Sequence, residues 1–150
     1  DGIGGRAILA HALAVSVERG HLGVVEGCAS ALRSGAVPGG RVNTLVGQGL
    51  YQFGHADGPR QSAMFQHPCA AIVDEERSAV WIADAGNGKI RRFDEMTGQL
   101  STLAIGETLL RPSALALDRE SLWIADSALG HLYRYFFASE YLARITLQGG

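Results

Sequence analysis

The 150-residue sequence has few of the features that mark several large classes of protein. It has only two cysteines, Cys28 and Cys69, which form neither a CxxC pair nor a zinc-type spacing. Free thiols are therefore favoured over a disulfide framework. No apolar run approaches the ~18 residues of a membrane helix, although residues 7–17 are rich in Ala, Leu and Val. The sequence therefore predicts no membrane association.

Basic charge and catalytic motifs are also scarce. The formal net charge is −2 and the pI is near 6.2, whereas phosphate neutralisation needs a basic face. The sequence contains no Ser/His/Asp order, no HExxH and no glycine loop that would hold a phosphate ahead of a helix. We therefore predict no nucleic-acid partner, no metal, no cofactor and no catalytic residue. Four arginines cluster on predicted third strands, with nearby acids offsetting them: Arg33, Arg91, Arg92 and Arg134.

An internal repeat centred on residues 79–103 is the strongest signal in the sequence. This stretch has three short β-like runs, separated by a glycine-rich turn at residues 86–88 and by a Thr-Gly turn, which is typical of an antiparallel meander. Residues 123–126 repeat the Trp-Ile-Ala-Asp of residues 81–84, and residues 24–26 form a weaker third copy. The chain is therefore expected to consist of similar β units.

An acidic residue closes each copy of the repeat: Glu26, Asp84 and Asp126. These acids lie about 58 and about 42 residues apart, a period typical of propeller blades. Residues 12–26 align with residues 112–126 without a gap, and the middle copy has two extra residues. Because each acid precedes a tight turn, we predict that its carboxylate accepts nearby backbone N–H bonds and has a structural role.

These repeats predict an all-β fold, a β-propeller of about three four-stranded blades. The approximate blades are residues 8–47, 66–106 and 110–148, with a long inter-blade loop at residues 47–67. Closure takes at least about four blades, so we predict an open, incomplete propeller with possible self-association through its open faces. Residue 1 falls in a loop that leads into a blade, so we expect the segment to come from a longer array.

The two tryptophans of the repeat are predicted to pack between blades. Second strands that are covered on both faces can be apolar on both sides, which suits Trp81 and Trp123. Gly23 takes their place in the first copy, which indicates a different partner there. On the open face of the last blade we expect residues such as Trp123 and Leu132.

Short motifs in the inter-blade loop and the second copy are shared with a known family of repeat proteins. They are residues 47–50, 57–58, 63–65, 67–68, 81–84, 87, 90–91, 97–98 and 101–103. Through these motifs the chain resembles the NHL-repeat β-propellers, most closely those NHL-repeat proteins that carry a thioredoxin-like domain. The Asn-His-Leu signature is present only as Asn-Gly-Lys-Ile at residues 87–90, and nothing in the chain resembles a thioredoxin fold.

This resemblance implies one of two functions. The favoured one is a non-catalytic protein-interaction or scaffold module in a larger thioredoxin-like/NHL multidomain protein, whose partner is another protein or another domain of the same chain. The alternative is a propeller enzyme of the metal-dependent lyase or lactonase type, with its site at the central channel. About three His or acidic side chains converging on that channel would favour the enzyme.

One set of residues is a candidate ligand-binding site. His11, His67 and Arg111 share the position just before the first strand of each blade. First strands lie nearest the axis, so we expect these side chains at one end of the arc, close to its concave inner edge. Such a rim could bind a metal or, with Arg111, an anionic group, but two histidines are too few for a closed zinc site. The structural alternative is that each histidine bonds a backbone carbonyl.

Overall fold

The computed structural model describes residues 2–3, 12–18, 20–27, 30–36, 40–47 and 53–146. In this part of the chain the strands form three antiparallel sheets, and helical structure is limited to one 3-10 turn at Ala85–Asn87. None of the described residues belongs to a helix long and apolar enough to span a membrane. The predicted all-β fold of about three four-stranded blades, arranged as an open arc, is confirmed.

Blade one contains the first five strands. They are β1 (Gly2–Ile3), β2 (Ala12–Glu18), β3 (His21–Glu26), β4 (Ala31–Ala36) and β5 (Arg41–Val46). Strands β2 to β5 form a meander in chain order, and the short β1 pairs antiparallel with the outer strand β5. The added strand satisfies part of the outer edge, which would otherwise present unpaired N–H and C=O groups.

Blade two has the same plan. Its strands are β6 (Gly58–Pro59), β7 (Ala70–Asp74), β8 (Ala79–Asp84), β9 (Lys89–Asp94) and β10 (Gln99–Thr102). The short β6 lies in the predicted inter-blade loop and pairs antiparallel with the outer strand β10. The loop before blade two therefore runs along the outer edge of that blade before the chain returns to its inner strand.

Blade three is a four-stranded meander. Its strands are β11 (Pro112–Leu117), β12 (Ser121–Asp126), β13 (His131–Phe136) and β14 (Tyr141–Ile145). They pair in chain order. The inner strands β2, β7 and β11 of the three blades lie in sequence beside one another, which gives the arc its concave edge.

The three blades share one strand register. In each blade, two equivalent positions of the first strand pair with the same two positions of the second strand. The pairs are Val15–Val24 and Val17–Leu22, then Ala71–Ile82 and Val73–Val80, then Leu115–Ile124 and Leu117–Leu122. This register agrees with the gap-free alignment of residues 12–26 and 112–126.

A hydrophobic core fills the junction between blades one and two. Val25 and Leu32 of blade one meet Val73, Val80 and Ile82 of blade two, and all five are almost completely buried. Burying a side chain of this size contributes about 1.5 to 3 kcal/mol relative to leaving it exposed. Apolar burial therefore holds consecutive blades together.

A second core fills the junction between blades two and three. Trp81 and Ile90 of blade two pack with Leu122, Ile124 and Tyr135 of blade three. Neighbouring residues of β8 thus point to opposite cores, and all six of its residues are buried. This confirms that the second strand of a sandwiched blade is apolar on both faces.

The two repeat tryptophans differ in burial. Trp81 is 3% exposed and packs against Phe137, with ring centroids 5.5 Å apart. The prediction that Trp123 also lies in an inter-blade core is wrong, because Trp123 is only half-buried on the outer face of blade three. Leu132 is half-buried there too, as expected for an open face. No further blade covers this face among the described residues.

The glycine in the first copy has a packing reason. A Cβ atom at Gly23 would lie 3.1 Å from Cγ2 of Val73 in blade two. The missing side chain therefore lets the inner strand of blade two approach blade one more closely than a tryptophan would allow. The sequence indicated a different partner at this position, and that partner is Val73.

Candidate functional site

The closing acid of blade three holds the segment that leads into the same blade. The Asp126 carboxylate accepts N–H bonds from Leu110 at 2.7 Å and Arg111 at 3.2 Å, and from Ala128 and Leu129 at 3.1 Å each. Burial acts to raise the pKa of Asp126, but these N–H groups outweigh it and keep the pKa below the ordinary value. The acid therefore fixes both the turn after it and the position of Arg111.

The closing acid of blade two has a related role. Oδ1 of Asp84 accepts a hydrogen bond from the backbone N–H of Gln66 at 2.8 Å, and Oδ2 accepts one from Nδ2 of Asn87 at 2.8 Å. Gln66 directly precedes His67, so Asp84 positions His67 as Asp126 positions Arg111. Burial raises the pKa of Asp84 against the opposing hydrogen bonds of Asn87, Gln66 and Arg91. Glu26 likewise binds an arginine, with Nη2 of Arg33 2.8 Å from its Oε2.

His67 and Arg111 line one cleft at the junction of blades two and three. The cleft has a volume of about 310 Å³. Its walls are His67, Cys69, Ala85, Gly86, Leu110 and Arg111. The structure therefore brings together two of the three rim residues, beside the inner strands β7 and β11, while His11 lies outside the described residues.

His67 is held in an unusual backbone conformation. Its φ of 48° is in the left-handed region, which is uncommon for residues other than glycine, although asparagine, aspartate and histidine are enriched there. Its N–H donates to Oγ of Ser30 in blade one at 3.3 Å, and its ring stacks on Phe53 with centroids 5.8 Å apart. The carbonyl of His67 accepts the Cys69 thiol at 3.6 Å. These contacts place the imidazole on the surface of the cleft.

The cleft combines cationic and apolar groups. The Arg111 guanidinium is exposed, and none of the residues lining the cleft is acidic. Leu110 is 57% exposed, and Phe53, stacked on His67, is 50% exposed. Asp126 is turned to backbone N–H groups. The end of the arc therefore presents an arginine and a histidine between two exposed apolar side chains.

A buried arginine ties the inter-blade loop to blade two. Arg91 is fully buried, with Nη1 2.6 Å from Oδ2 of Asp84 and Nη2 2.6 Å from Oδ1 of Asp57. It also donates to the carbonyl groups of Ala56 at 3.0 Å and Met64 at 3.2 Å. Although burial opposes it, hydrogen bonding to Arg91 and Thr102 lowers the pKa of Asp57. Arg91 therefore joins the loop, the closing acid and the third strand.

Arg91 was grouped with the other arginines of the predicted third strands, and its buried role was not predicted. The signal was present, since Arg33 and Arg91 both stand seven residues after the closing acid, and Thr44 and Thr102 both stand eighteen after it. In blade one Arg33 donates to Thr44 and to Glu26. The repeat therefore encodes a polar unit of acid, arginine and threonine in the first two blades.

Blade three replaces the arginine with an aromatic residue. Tyr133 stands seven residues after Asp126 and is 1% exposed. Its hydroxyl is 3.0 Å from Nδ1 of His131, and burial raises the pKa of Tyr133.

The other two clustered arginines are paired with acids, Arg92 with Asp94 at 2.9 Å and Arg134 with Asp118 at 3.4 Å. The acids near these arginines do offset their charge.

No group of three or more His, Cys, Asp or Glu residues that could hold a metal ion occurs among the described residues. Cys69 is a free, half-buried thiol in the cleft. Cys28 lies outside the part of the chain that the structure describes. The reactive groups that line the cleft are therefore a guanidinium, an imidazole and a thiol.

The fold is that of β-propeller repeats, as comparison with solved structures confirms. The crystal structure of a nidogen/laminin complex superposes with a TM-score of 0.71 at 14% identity, covering 93% of this chain and 48% of that one. A streptogramin B lyase structure superposes with a TM-score of 0.68 at 11% identity, covering 99% of this chain and 45% of that one. Such low identities establish the fold alone.

Over 86 residues the repeats are similar to those of NHL-repeat proteins, as the resemblance implied. Bovine NHL repeat-containing protein 2 is 34% identical over 86 residues, which cover 54% of this chain and 12% of that protein. The matched stretch is therefore a small part of the relative's length. No protein-family model matches the chain.

Proposed function

We propose that this chain is a non-catalytic protein-interaction module of the NHL propeller type. Its partner is a thioredoxin-like domain, in the same larger protein or in another chain. The observation that carries the proposal is the composition of the cleft end, where exposed Phe53 and Leu110 flank His67 and Arg111. Aromatic residues and arginine are enriched at protein interfaces, and a few of them supply most of the binding energy.

The use of the repeated acids supports the same proposal. Asp84 and Asp126 hold backbone N–H groups and neighbouring side chains, and Glu26 holds Arg33. Carboxylates engaged in this way shape the loops rather than act on a substrate. They keep the His67 and Arg111 segments in fixed positions, and a preorganised surface binds at a lower cost in conformational entropy.

The charge of the cleft indicates which group of the partner it accepts. Arg111 and His67 face a space without a lining carboxylate, so an acidic side chain of the partner fits there and forms a charge-assisted hydrogen bond with the guanidinium. Leu110 and Phe53 would then pack against apolar atoms around that acid. His11, Arg111 and His67 together form the proposed ligand-binding rim, with His11 assigned from its repeat position.

An interaction assay tests this proposal. Isothermal titration would measure binding of the chain to a purified thioredoxin-like domain taken from an NHL-repeat protein that carries one. We expect Leu110→Ala and Arg111→Ala each to weaken binding at least about tenfold, since each removes a central contact. Met96→Ala is the matched control, because Met96 is 82% exposed at the turn between β9 and β10, away from the cleft.

Two results would contradict the proposal. One is a lack of binding to the thioredoxin-like domain, and the other is binding that the cleft variants leave unchanged. The alternative is a propeller enzyme, a class to which the streptogramin B lyase among the fold neighbours belongs. Cleavage of a streptogramin B by the purified chain, lost on His67→Ala, would support that alternative and overturn the non-catalytic module.

A further inference from the structure

The two end faces of the arc carry the same residues that form the internal junctions. Val15 and Val17 of blade one are 64% and 56% exposed. Their repeat equivalents in blade two, Ala71 and Val73, are 8% and 2% exposed, because they pack on blade one. The front face of blade one is therefore a junction surface without a partner among the described residues.

The back face of blade three has the matching property. Trp123, Ala125 and Leu132 are half-buried, whereas their equivalents in blade two, Trp81, Ala83 and Ile90, are 3%, 0% and 0% exposed. The blade-two residues are covered by the front of blade three, in a core that contains Leu122 and Ile124. The back of blade three is therefore complementary to a blade front.

A groove marks the place where the covering element would lie. It has a volume of about 690 Å³ and is lined by Ala125, Gly130, Leu132 and Ile145 together with polar neighbours. In blade two the equivalent of Gly130 is Gly88, where a Cβ would be 2.4 Å from the carbonyl oxygen of Leu109. At Gly130 no described atom lies within 4 Å of the equivalent point. In blade two the equivalent space is filled by Leu109, whereas in blade three the groove is open.

We propose that two copies of this chain close a ring, with the front of blade one in each copy packed on the back of blade three in the other. The step from blade one to blade two and the step from blade two to blade three use the same register and the same repeat positions. A third identical step would therefore continue the same curve. The chain superposes on 48% and 45% of two solved propeller chains, so two arcs supply about one such chain.

This dimer does not depend on the proposed function, because it uses the two end faces and leaves the cleft between blades two and three free. It contains two equivalent junctions, each like the apolar cores inside the chain. Interfaces of this kind resemble a domain core cut in half and form stable homodimers. Front-to-back contacts are heterologous, so a rotation that failed to close would give filaments instead of a dimer.

Sedimentation equilibrium over a concentration series tests the ring. The wild-type chain is expected to give a dimer, with no larger species, at roughly 100 µM, far above a micromolar Kd. Val15→Lys alters only the front of blade one, and Leu132→Glu alters only the back of blade three. In a dimer of either variant alone, each of the two junctions therefore contains one altered face. Each is expected to weaken dimerisation at least about 100-fold.

A mixture of the two variants makes the test specific. An equimolar mixture restores one intact junction and pairs lysine with glutamate at the other, so a heterodimer is expected to return. Thermal unfolding of each variant shows that it is folded, and Tyr141→Lys is the control, because Tyr141 is 62% exposed at the start of the outer strand β14. A wild-type monomer at roughly 100 µM, filaments, or a mixture that stays monomeric would each overturn the proposal.

Discussion

Blades two and three carry the same Trp-Ile-Ala-Asp sequence on their second strands, yet the two strands differ in burial. All six residues of β8 are buried, whereas β12 alternates between buried and half-buried residues. The difference arises because blade two is covered on both faces and blade three on one. The comparison shows that the neighbouring blade, rather than the repeat sequence, decides how much each repeat residue stabilises the fold.

The largest effect is expected from breaking the ion pair between Asp84 and Arg91 in blade two. Blade three has no such pair, because Tyr133 stands at the position of Arg91. Arg91→Met would leave Asp84 buried without its cation, and removing one partner of a buried ion pair costs about 3 to 5 kcal/mol. Urea unfolding would measure the free energy of unfolding. Arg92→Met is the matched control, since Arg92 is the next residue on β9 and its pair with Asp94 is partly exposed. We expect it to cost less than about 1 kcal/mol.

A second substitution separates the buried charge from the packing. Asp84→Asn in the Arg91→Met background removes the unpaired carboxylate, so we expect part of the lost stability to return. Equal losses of unfolding free energy for Arg91→Met and Arg92→Met would show instead that the buried Arg91 pair stabilises the fold no more than the exposed Arg92 pair.

The next effect compares the two tryptophans directly. Trp81→Ala opens a cavity in the junction core and is expected to cost about 3 to 5 kcal/mol. Trp123→Ala, on the uncovered face, is expected to cost about 1 to 2 kcal/mol. Both indole N–H groups donate to an aspartate, Trp81 to Asp74 at 2.9 Å and Trp123 to Asp118 at 2.8 Å. With the protein kept below its dimerisation Kd, the difference between the two losses of unfolding free energy therefore reports coverage by the next blade, and equal losses would contradict that role.

Acid is expected to weaken those turns whose carboxylates have a pKa that the fold lowers. N–H bonds from Thr97 and pairing with Arg92 lower the pKa of Asp94 to about 2, and hydrogen bonds from Trp123 and Ser121 lower that of Asp118. A carboxyl with a lowered folded pKa stabilises above its unfolded pKa of about 3.9, and this contribution is lost as the pH falls through the folded value. Asp84, with its raised pKa, acts in the opposite sense.

The free energy of unfolding should therefore stay level from about pH 7 to pH 5 and fall between about pH 4 and pH 2. Asp94→Asn removes one of these groups, so its stability should depend less steeply on pH below about 4. Denaturant titrations at a series of pH values would measure both slopes. A variant slope as steep as the wild-type slope would contradict the role given to Asp94.

The smallest effect is expected at the cleft. Arg111→Ala removes an exposed side chain and should change the free energy of unfolding by less than about 0.5 kcal/mol. His67→Asn should be similarly neutral, because asparagine tolerates the φ of 48° at this position. Thermal unfolding measures both. A large loss in either variant would show that the cleft is part of the folding core rather than a free surface.

The sequence predicted the repeat and its register because both depend on local patterns. Alternating apolar residues and the glycine turns were sufficient for the strands. The burial of Arg91 could not be predicted in this way, since its partner Asp57 lies 34 residues earlier, in a loop. The repeat pattern by itself placed Trp123 in an inter-blade core, and only the expected number of blades placed it on an open face.

The same limit applies to the candidate site. The shared repeat position of His67 and Arg111 indicated a common end of the arc, and both residues line one cleft. Cys69, Leu110 and Phe53 were not singled out there, because their contribution comes from how two loops meet. His67 and Arg111 stay a proposed rather than an assigned ligand site.

Fluorescence quenching tests most directly the claim that coverage by a neighbouring blade distinguishes the two tryptophans. Trp123→Phe leaves only Trp81, and Trp81→Phe leaves only Trp123, so each variant reports one indole. With acrylamide as quencher and the protein kept below its dimerisation Kd, we expect Trp123 to be quenched several-fold more strongly than Trp81. Equal protection of the two indoles in dilute, folded protein would contradict the open arc.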